Sequence, residues 1–467
     1  MRRRIQAGWF GLFLVLVSGR CLMAQTEAPP AHPLSLSEAI DYALTHYPAV
    51  RAALEQVESA RNGVALARTS YLPQVNPIYQ ANRATNNQVA GIFFPASIAP
   101  SVEGPVLPYS GTSFWNTQAG VLLSWEPVDF GLRRAAVDQA RSAEHKSDAD
   151  VELTRLQVAS ATGGYFLNLV AAQQAVTAAK ADVARWQVFD RTVQVLVQQE
   201  LRPGADGSRA DAELAMARTR LFQAQAVEQQ AQAILAALMG AAGSAIQVEP
   251  HPLLASVPAD SLPPAPPSAH PLALDQQASV EELRAKERVI NHTDYPHLFL
   301  ESEAFGRGSG ANPAGVDAGG FKGLGFDRGN WLAGISVVFP NLFDLSARRD
   351  QKRMAEAQER SQEARYQQTL QDLTGQAVAA QAAFQAAVQI AQNTPIALAA
   401  ARQAETQARA RYQAGLTNLV EVAEAESLLA QAEQDDAVAR IGAWRGLFGV
   451  AVAQGNLDPF LANLRAK

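Results

Sequence analysis

The chain has 467 residues, enough for two or three ordinary domains, and a formal net charge of −6. That acidic balance excludes the basic footprint of a nucleic-acid-binding protein. A single cysteine, Cys21, excludes a disulfide framework.

The first element is "MRRRIQAGWFGLFLVLVSGRCLMAQ". It has a basic start, a short apolar run from Trp9 to Val17 and a small residue at Ala24, which reads as a secretory signal over residues 1–24. Arg20 directly before Cys21 departs from a lipoprotein signal. Cleavage after Ala24 removes four arginines and the cysteine, taking the formal charge from −6 to −10. No later segment approaches about 18 consecutive apolar residues. A mature chain that enters a membrane must therefore do so as β-strands.

One plan is then used twice. The first repeat covers 25–250: a helical stretch Ser37–Ser70 ending in "SYLPQV", strands at about 74–84 and 114–126, a corner at "SWEPVDFGLRRA", and a helical hairpin at about 131–240. Its tip, 202–208, holds Pro203, Gly204 and Gly207, which break the helix, and Asp206 or Ser208 as caps for the next one. A Pro-rich stretch, 251–271, reads as an extended linker. The second repeat, 272–467, has a helix Asp275–Thr293, strands at about 297–306 and 330–340, a corner at "VFPNLFDLSARR", and a hairpin at about 345–455 with its tip at 413–418.

The two long helices, Leu132–Leu201 and Ser346–Gln413, run about 70 residues each, or about 100 Å at 1.5 Å per residue. No compact domain holds such a rod, so each must pack sideways on others. Leu169, Ala172, Val176, Ala179, Val183 and Trp186 step by three and four, as do Tyr366, Leu370, Leu373, Ala377, Ala380, Phe384, Ala387 and Ala391. Pro395 predicts a kink or a loosened turn in the second rod. On the helices alone, a coiled-coil or spectrin-like bundle fits equally well.

The strands favour a membrane. In "FWNTQAGVLLSWE" the face of Trp115, Thr117, Ala119, Val121, Leu123 and Trp125 is apolar with Trp at both ends, while the opposite face of Asn116, Gln118, Gly120, Leu122, Ser124 and Glu126 is mostly polar. The two Trp lie about 33 Å apart along the strand, or about 25 Å in height when tilted about 40°, matching the apolar band of an outer-membrane barrel. "WLAGISVVF" repeats the pattern with Trp331 and Phe339 at its ends, completing a candidate aromatic girdle of Trp115, Trp125, Trp331 and Phe339. Four strands cannot close such a barrel, so several chains must pool theirs. Long loops, Ala84–Ser113 and Arg307–Gly329, belong outside, away from the helices.

These features, in this order and repeated twice, resemble the TolC-type outer-membrane efflux proteins over nearly the whole mature length. "SLSEAIDYALTHYPAVRAA", "ARTSYLPQV", the Pro-aromatic corners and "YQAGLTNLVEVAEAESLL" carry the resemblance. It implies a mostly α fold with a membrane β-barrel: a homotrimer with a twelve-stranded barrel in outer-membrane lipid, above a twelve-helix α-barrel reaching through the periplasm. The linker and the C-terminal "GNLDPFLANLRAK" would form a belt at mid-height. The implied function is a passive exit duct of a tripartite system, engaged by a periplasmic adaptor (membrane fusion protein) and an inner-membrane transporter. It also implies a periplasmic gate. Tyr412, Gly415, Val420, Glu421 and Glu424 fall where family members carry Tyr, Gly, Val and two acids. "SRAD" puts Asp211 where an acid bonds the Tyr of the other hairpin. Thr417 and Ala210 stand where the best-known member has Arg and Thr, so a second lock of that kind is missing. Gly204, Gly207, Ser208, Gly415, Leu416 and Thr417 are the tip residues expected to turn the chain and meet the adaptor.

Catalytic and cofactor sites find no support. "NHTDYPH" offers His292, Asp294 and His297, but Pro296 breaks the helix between the histidines, a poor metal spacing. The Gly-rich run after Phe305 lacks a following Gly-Lys-Ser/Thr and an opening helix. The remaining alternative to a duct is a secreted or periplasmic coiled-coil scaffold without a barrel.

Overall fold

The computed structural model describes residues 32–85, 113–258, 261–310, 319–340 and 344–465. The expected signal at 1–24 and most of the loop Ala84–Ser113 lie outside them. The elements run α1 (Leu36–His46), α2 (Pro48–Thr69), β1 (Gln74–Thr85), β2 (Ser113–Val128), α3 (Leu132–Gln198), α4 (Gly204–Leu238), α5 (His251–Ala255), α6 (Pro271–His292), β3 (His297–Ser309), β4 (Arg328–Val338), α7 (Leu345–Gln413), α8 (Leu419–Ala453) and α9 (Asp458–Arg465).

Helix lengths explain the architecture. α3 has 67 residues and α7 has 69, each about 100 Å long at 1.5 Å per residue. Their hairpin partners α4 and α8 have 35 each, and α2 and α6 have 22 each. One long rod is thus flanked by two shorter helices stacked end to end. Both joints use the same device. α4 ends at Gly240 (φ 75°), where a Cβ would stand 3.0 Å from the His46 carbonyl just before α2. α8 ends at Gly455 (φ 74°), where a Cβ would stand 2.7 Å from His270 and Pro271 at the start of α6. The left-handed backbone and the missing side chain let each helix abut the next.

The main core sits at these joints. Phe166, Leu167 and Val170 of α3 pack with Ile40 and Ala43 of α1, Leu235 of α4, and Trp444, Leu447 and Phe448 of α8. The Pro-rich stretch is not a free extended linker. It contains α5, buries Leu253 and Leu262 in this core, and accepts a 2.9 Å bond from the Trp444 indole at the Ser256 carbonyl. Apolar residues spaced between the prolines outweigh the stiffness the prolines suggest. α9 adds Phe460 and Leu464. The α7 stripe faces inward, with Leu373, Phe384 and Ala391 buried. α7 continues as helix through Pro395. The ring removes one ladder donor, and lateral packing holds the helix through the gap.

The four strands form one antiparallel sheet in the order β1-β2-β3-β4. Register aligns every apolar face. Val75, Leu123, Ser302 and Ala333 form one row across it; Pro77, Val121, Ala304 and Trp331 form the next. Val75, Tyr79, Val121, Leu123, Trp125, Trp331, Ile335 and Val337 are exposed on this face. Gln118, Leu122, Glu303 and Phe305 lie on the opposite face and are buried. β1 and β4 are open edges, with unpaired backbone groups along 12 and 11 residues.

Three of the four residues expected to form a girdle stand at the ends of the sheet. The Trp125 indole donates to the Tyr71 carbonyl at 3.1 Å on the helical side. Trp115 stands at the far end, 6.4 Å from Phe321 and under the Arg83 guanidinium. Phe339 is exposed just past the helical end of β4. Trp331, 80 % exposed, sits in the Val121 row, near mid-strand. β4 begins only three residues earlier, so Trp331 cannot reach the far rim. Phe321 and Phe326 occupy that end.

Candidate gate at the helical tips

The two tips share one backbone plan, offset by 415 − 200 = 215 residues. The turn after α3 passes through Glu200 and that after α7 through Gly415, both left-handed (φ 59° and 72°). Pro203 and Asn418 are the N-caps of the return helices. Leu201 (65 % exposed) and Leu416 (70 %) project from the turns. The first reversal is therefore made by Glu200 and not by Gly204 or Gly207, which lie inside α4 because Pro203 already starts that helix. Gly207 instead lets α3 approach: its carbonyl accepts from Gln194 at 3.3 Å. Ser208 bonds back to the Gly204 carbonyl within α4.

The matching positions show which acid faces Tyr412. Asp206 corresponds to Glu421, the third residue after each cap, and Asp211 corresponds to Glu426. The Tyr412 hydroxyl donates to Asp206 Oδ2 at 3.2 Å. Asp211 lies more than a turn further along α4 and accepts from Gln194 at 3.2 Å. The expected Asp211–Tyr412 contact is thus replaced by Asp206–Tyr412. Tyr412 is 1 % exposed, with Phe189 at 5.5 Å and the Arg202 guanidinium 4.2 Å from its ring centre. Arg202 also donates to the Tyr412 carbonyl. Burial, reinforced by Asp206, pushes the phenol up to about 12, so it remains a hydrogen-bond donor.

Around this contact a second core, separate from that at the joints, draws residues from four helices: Trp186, Phe189 and Val193 of α3, Ala210 and Leu214 of α4, Tyr412 of α7, and Leu419 and Val422 of α8. Glu421 is engaged within its own hairpin. It pairs with Arg411 at 2.8 Å, accepts from Thr417, and its amide donates to the Asn418 cap at 3.2 Å. Glu424, one turn on, is exposed and has no ion pair among the described residues.

Next to this core lies a charge cluster that the sequence reading missed. Glu426, almost fully buried, is held by Arg409 of α7 and by Arg185 of α3 at 3.1 Å. Arg185 also meets Glu433 at 2.9 Å, and Arg220 of α4 meets Asp182 at 2.8 Å. Burial raises the Glu426 carboxyl, against the pull of the two arginines. The signal was present: Glu426 stands on the α8 seam with Leu419, Val422 and Leu429, where an acid requires a partner. No group of three or more His, Cys, Asp or Glu suited to a metal occurs among the described residues. Asp294 is paired with Arg348 and Lys352, and His297 with Glu126.

The family model for outer membrane efflux proteins matches residues 39–241 and 274–441, skipping the Pro-rich stretch between the repeats. The chain belongs to the outer membrane efflux protein family. This efflux protein is 29 % identical to Protein CyaE of Bordetella pertussis over 369 residues, 75 % of this chain and 69 % of that protein. Its fold is similar to that of CusC (TM-score 0.73, 17 % identity, 90 % of this chain and 92 % of the other). It is also similar to the open state of the MtrE outer membrane channel of Neisseria gonorrhoeae (TM-score 0.71, 19 % identity, 90 % and 89 %). The efflux protein is therefore a non-catalytic conduit of the outer membrane and periplasm, in which long helices join a four-stranded antiparallel sheet.

Proposed function

We propose that three copies of this efflux protein close into one duct. Each chain supplies four strands to a twelve-stranded barrel in outer-membrane lipid and four helical rods to an α-barrel below it. The observation that carries this reading is the sheet itself: an apolar face exposed on one side, with β1 and β4 as open edges. Unpaired edge groups cannot stay in hydrocarbon, so β4 of one copy pairs with β1 of the next. Twelve strands fall between the side-chain-filled eight-stranded barrel and the water-filled sixteen-stranded one.

The helical tips meet a periplasmic adaptor, and an inner-membrane transporter supplies the energy. Leu201 and Leu416, the exposed apolar residues at the turns, are the contact points we assign to the adaptor. Tyr412, Asp206 and Arg202 hold the two hairpins of a chain together, and Glu421 and Glu424 line the entrance. Residues 1–24 direct export and are removed, 25–250 and 272–467 are the two repeats, and 251–271 belongs to the belt between them. Trp115, Trp125 and Phe339, with Phe321, anchor the barrel at its rims.

The test is fractionation. The mature protein must sediment with outer membrane, require detergent, and give a cross-linked trimer through cysteines placed on β1 and β4. Recovery as a soluble monomer overturns the reading.

A further inference from the structure

The register that aligns the apolar face also dictates the opposite one. Gln80, Gln118, Arg307 and Arg328 are successive register partners on β1, β2, β3 and β4. Arg307 is one residue on from Gly306, which shares the outward row of Ala119 and Tyr79, so this row faces inward. It lies near the Trp115 end, away from the helices. Neither arginine has an ion pair among the described residues. Asp327, next to Arg328 in sequence and bonded by its amide to the Arg307 carbonyl at 2.9 Å, turns its carboxylate to the Ser309 amide at 3.4 Å. The Cα of Glu303 lies four residues along β3, about 13 Å nearer the helices at 3.3 Å per residue, and its carboxylate reaches back towards the Gln118 row without pairing with either arginine. It is occupied by Gln118 at 3.4 Å.

Two like charges directly opposite on neighbouring strands repel each other. Either a local carboxylate or a ligand anion relieves that repulsion, and no such carboxylate pairs with them among the described residues. A guanidinium fork suits phosphate, sulfonate and carboxylate oxygens, and arginine rings in a pore favour anions. We propose that Arg307 and Arg328 form a binding station for multivalent anions at the outward mouth of the duct. This rests on the trimeric barrel above, where two arginines per chain make a ring of six. The station lies at the end opposite the acidic tip residues Glu421 and Glu424. Solutes carrying several anionic groups dwell there before release, so the mouth contributes to the choice of cargo.

Purified trimer in planar bilayers tests this with inorganic triphosphate. Added on the barrel side, it should block current at a concentration at least tenfold lower than when added on the helical side. In Arg307→Gln/Arg328→Gln the barrel-side concentration for half block should rise at least tenfold, and in Arg307→Lys/Arg328→Lys less than threefold. Equal block from the two sides of the unaltered protein, or unchanged block in the Gln variant, overturns the station while leaving the duct intact. Absence of any conducting trimer overturns the duct on which it rests.

Discussion

Tyr412→Phe isolates one bond between the hairpins. The ring keeps its place against Phe189 and under Arg202, and only the hydroxyl that donates to Asp206 is lost. A hydrogen bond to a charged group contributes about 1.5–3 kcal/mol. Asp206 is half-buried, so the lower value, about 1.5 kcal/mol per chain, applies. That is about tenfold in an open–closed equilibrium per chain, and about a thousandfold if three chains open together. The assay is open probability in planar bilayers, with uptake of a large, normally excluded antibiotic by cells as the second readout. Asp206→Ala should match Tyr412→Phe, whereas Asp211→Ala should stay within threefold of the unaltered protein because Asp211 serves Gln194. The phenol binds its proton more tightly in the folded chain, about 12 against about 10 unfolded. Its contribution is therefore complete below pH 10 and is lost only as pH rises through 12. The difference between the unaltered protein and Tyr412→Phe should be flat from about pH 6 to about pH 9. A silent Tyr412→Phe in an intact trimer, or an Asp211→Ala that opens as widely as Asp206→Ala, refutes the assignment.

Three further outcomes follow from other parts of the chain. Glu421→Ala/Glu424→Ala should raise single-channel conductance or weaken block by divalent cations; if both stay unchanged, these are surface acids only. Gly163→Ala should lower the melting temperature, since its Cβ would stand 2.4 Å from the Phe448 ring, an overpacking cost of about 1–3 kcal/mol; neighbouring Gly164→Ala, with nothing within 4 Å, should raise it slightly. Burial and the Asp150 carboxyl raise Asp275 to about 6, against the nearby Lys146, so its contribution is full below about pH 3.8 and fades as pH rises through 6. Asp275→Asn should accordingly raise the melting temperature in detergent at about pH 7.5, by progressively less as pH falls, and leave it nearly unchanged only below about pH 3.8.

The rods and strands were legible because their signals are periodic and long. The α7 stripe and the alternating faces of β2 each rest on many residues that agree, and both lie where the pattern puts them. The corners and tips were harder, because one residue decides each. Glycine is the usual residue for a left-handed position, so Gly204 and Gly207 drew the turn towards themselves. The chain reverses at Glu200, a residue without that preference. That displacement carried the acid with it, from Asp206 to Asp211. The Pro-rich stretch misled in the opposite way: composition suggested an extended linker, while Leu253 and Leu262 tie it to the core. Burial of Glu426 depends on three helices meeting, which a single-helix reading does not contain.

The offset of 415 − 200 = 215 residues between the tips also gives the proposed lock a direction. The position matching Tyr412 in the first hairpin is Val197, which packs on the tip core and has no hydroxyl. The position matching Arg202 in the second is Thr417, which is spent on Glu421. Asp206 and Glu421 occupy equivalent backbone sites, yet only Asp206 is reached from the other hairpin. The first tip therefore presents a charged cradle and the second inserts an aromatic into it, one such contact per chain. Repeat symmetry that supplied two would tie both hairpins equally. In the proposed gate, loss of this one phenol contact weakens the tie on the second hairpin, while the α3–α8 ion pair of Arg185 and Glu426 still holds the rods side by side. On this argument Val197→Tyr cannot restore closure to Tyr412→Phe, since Thr417 and Glu421 offer no free cradle. Open probability in the double variant should equal that of Tyr412→Phe alone, and recovery of closure would show that the two tips are interchangeable after all.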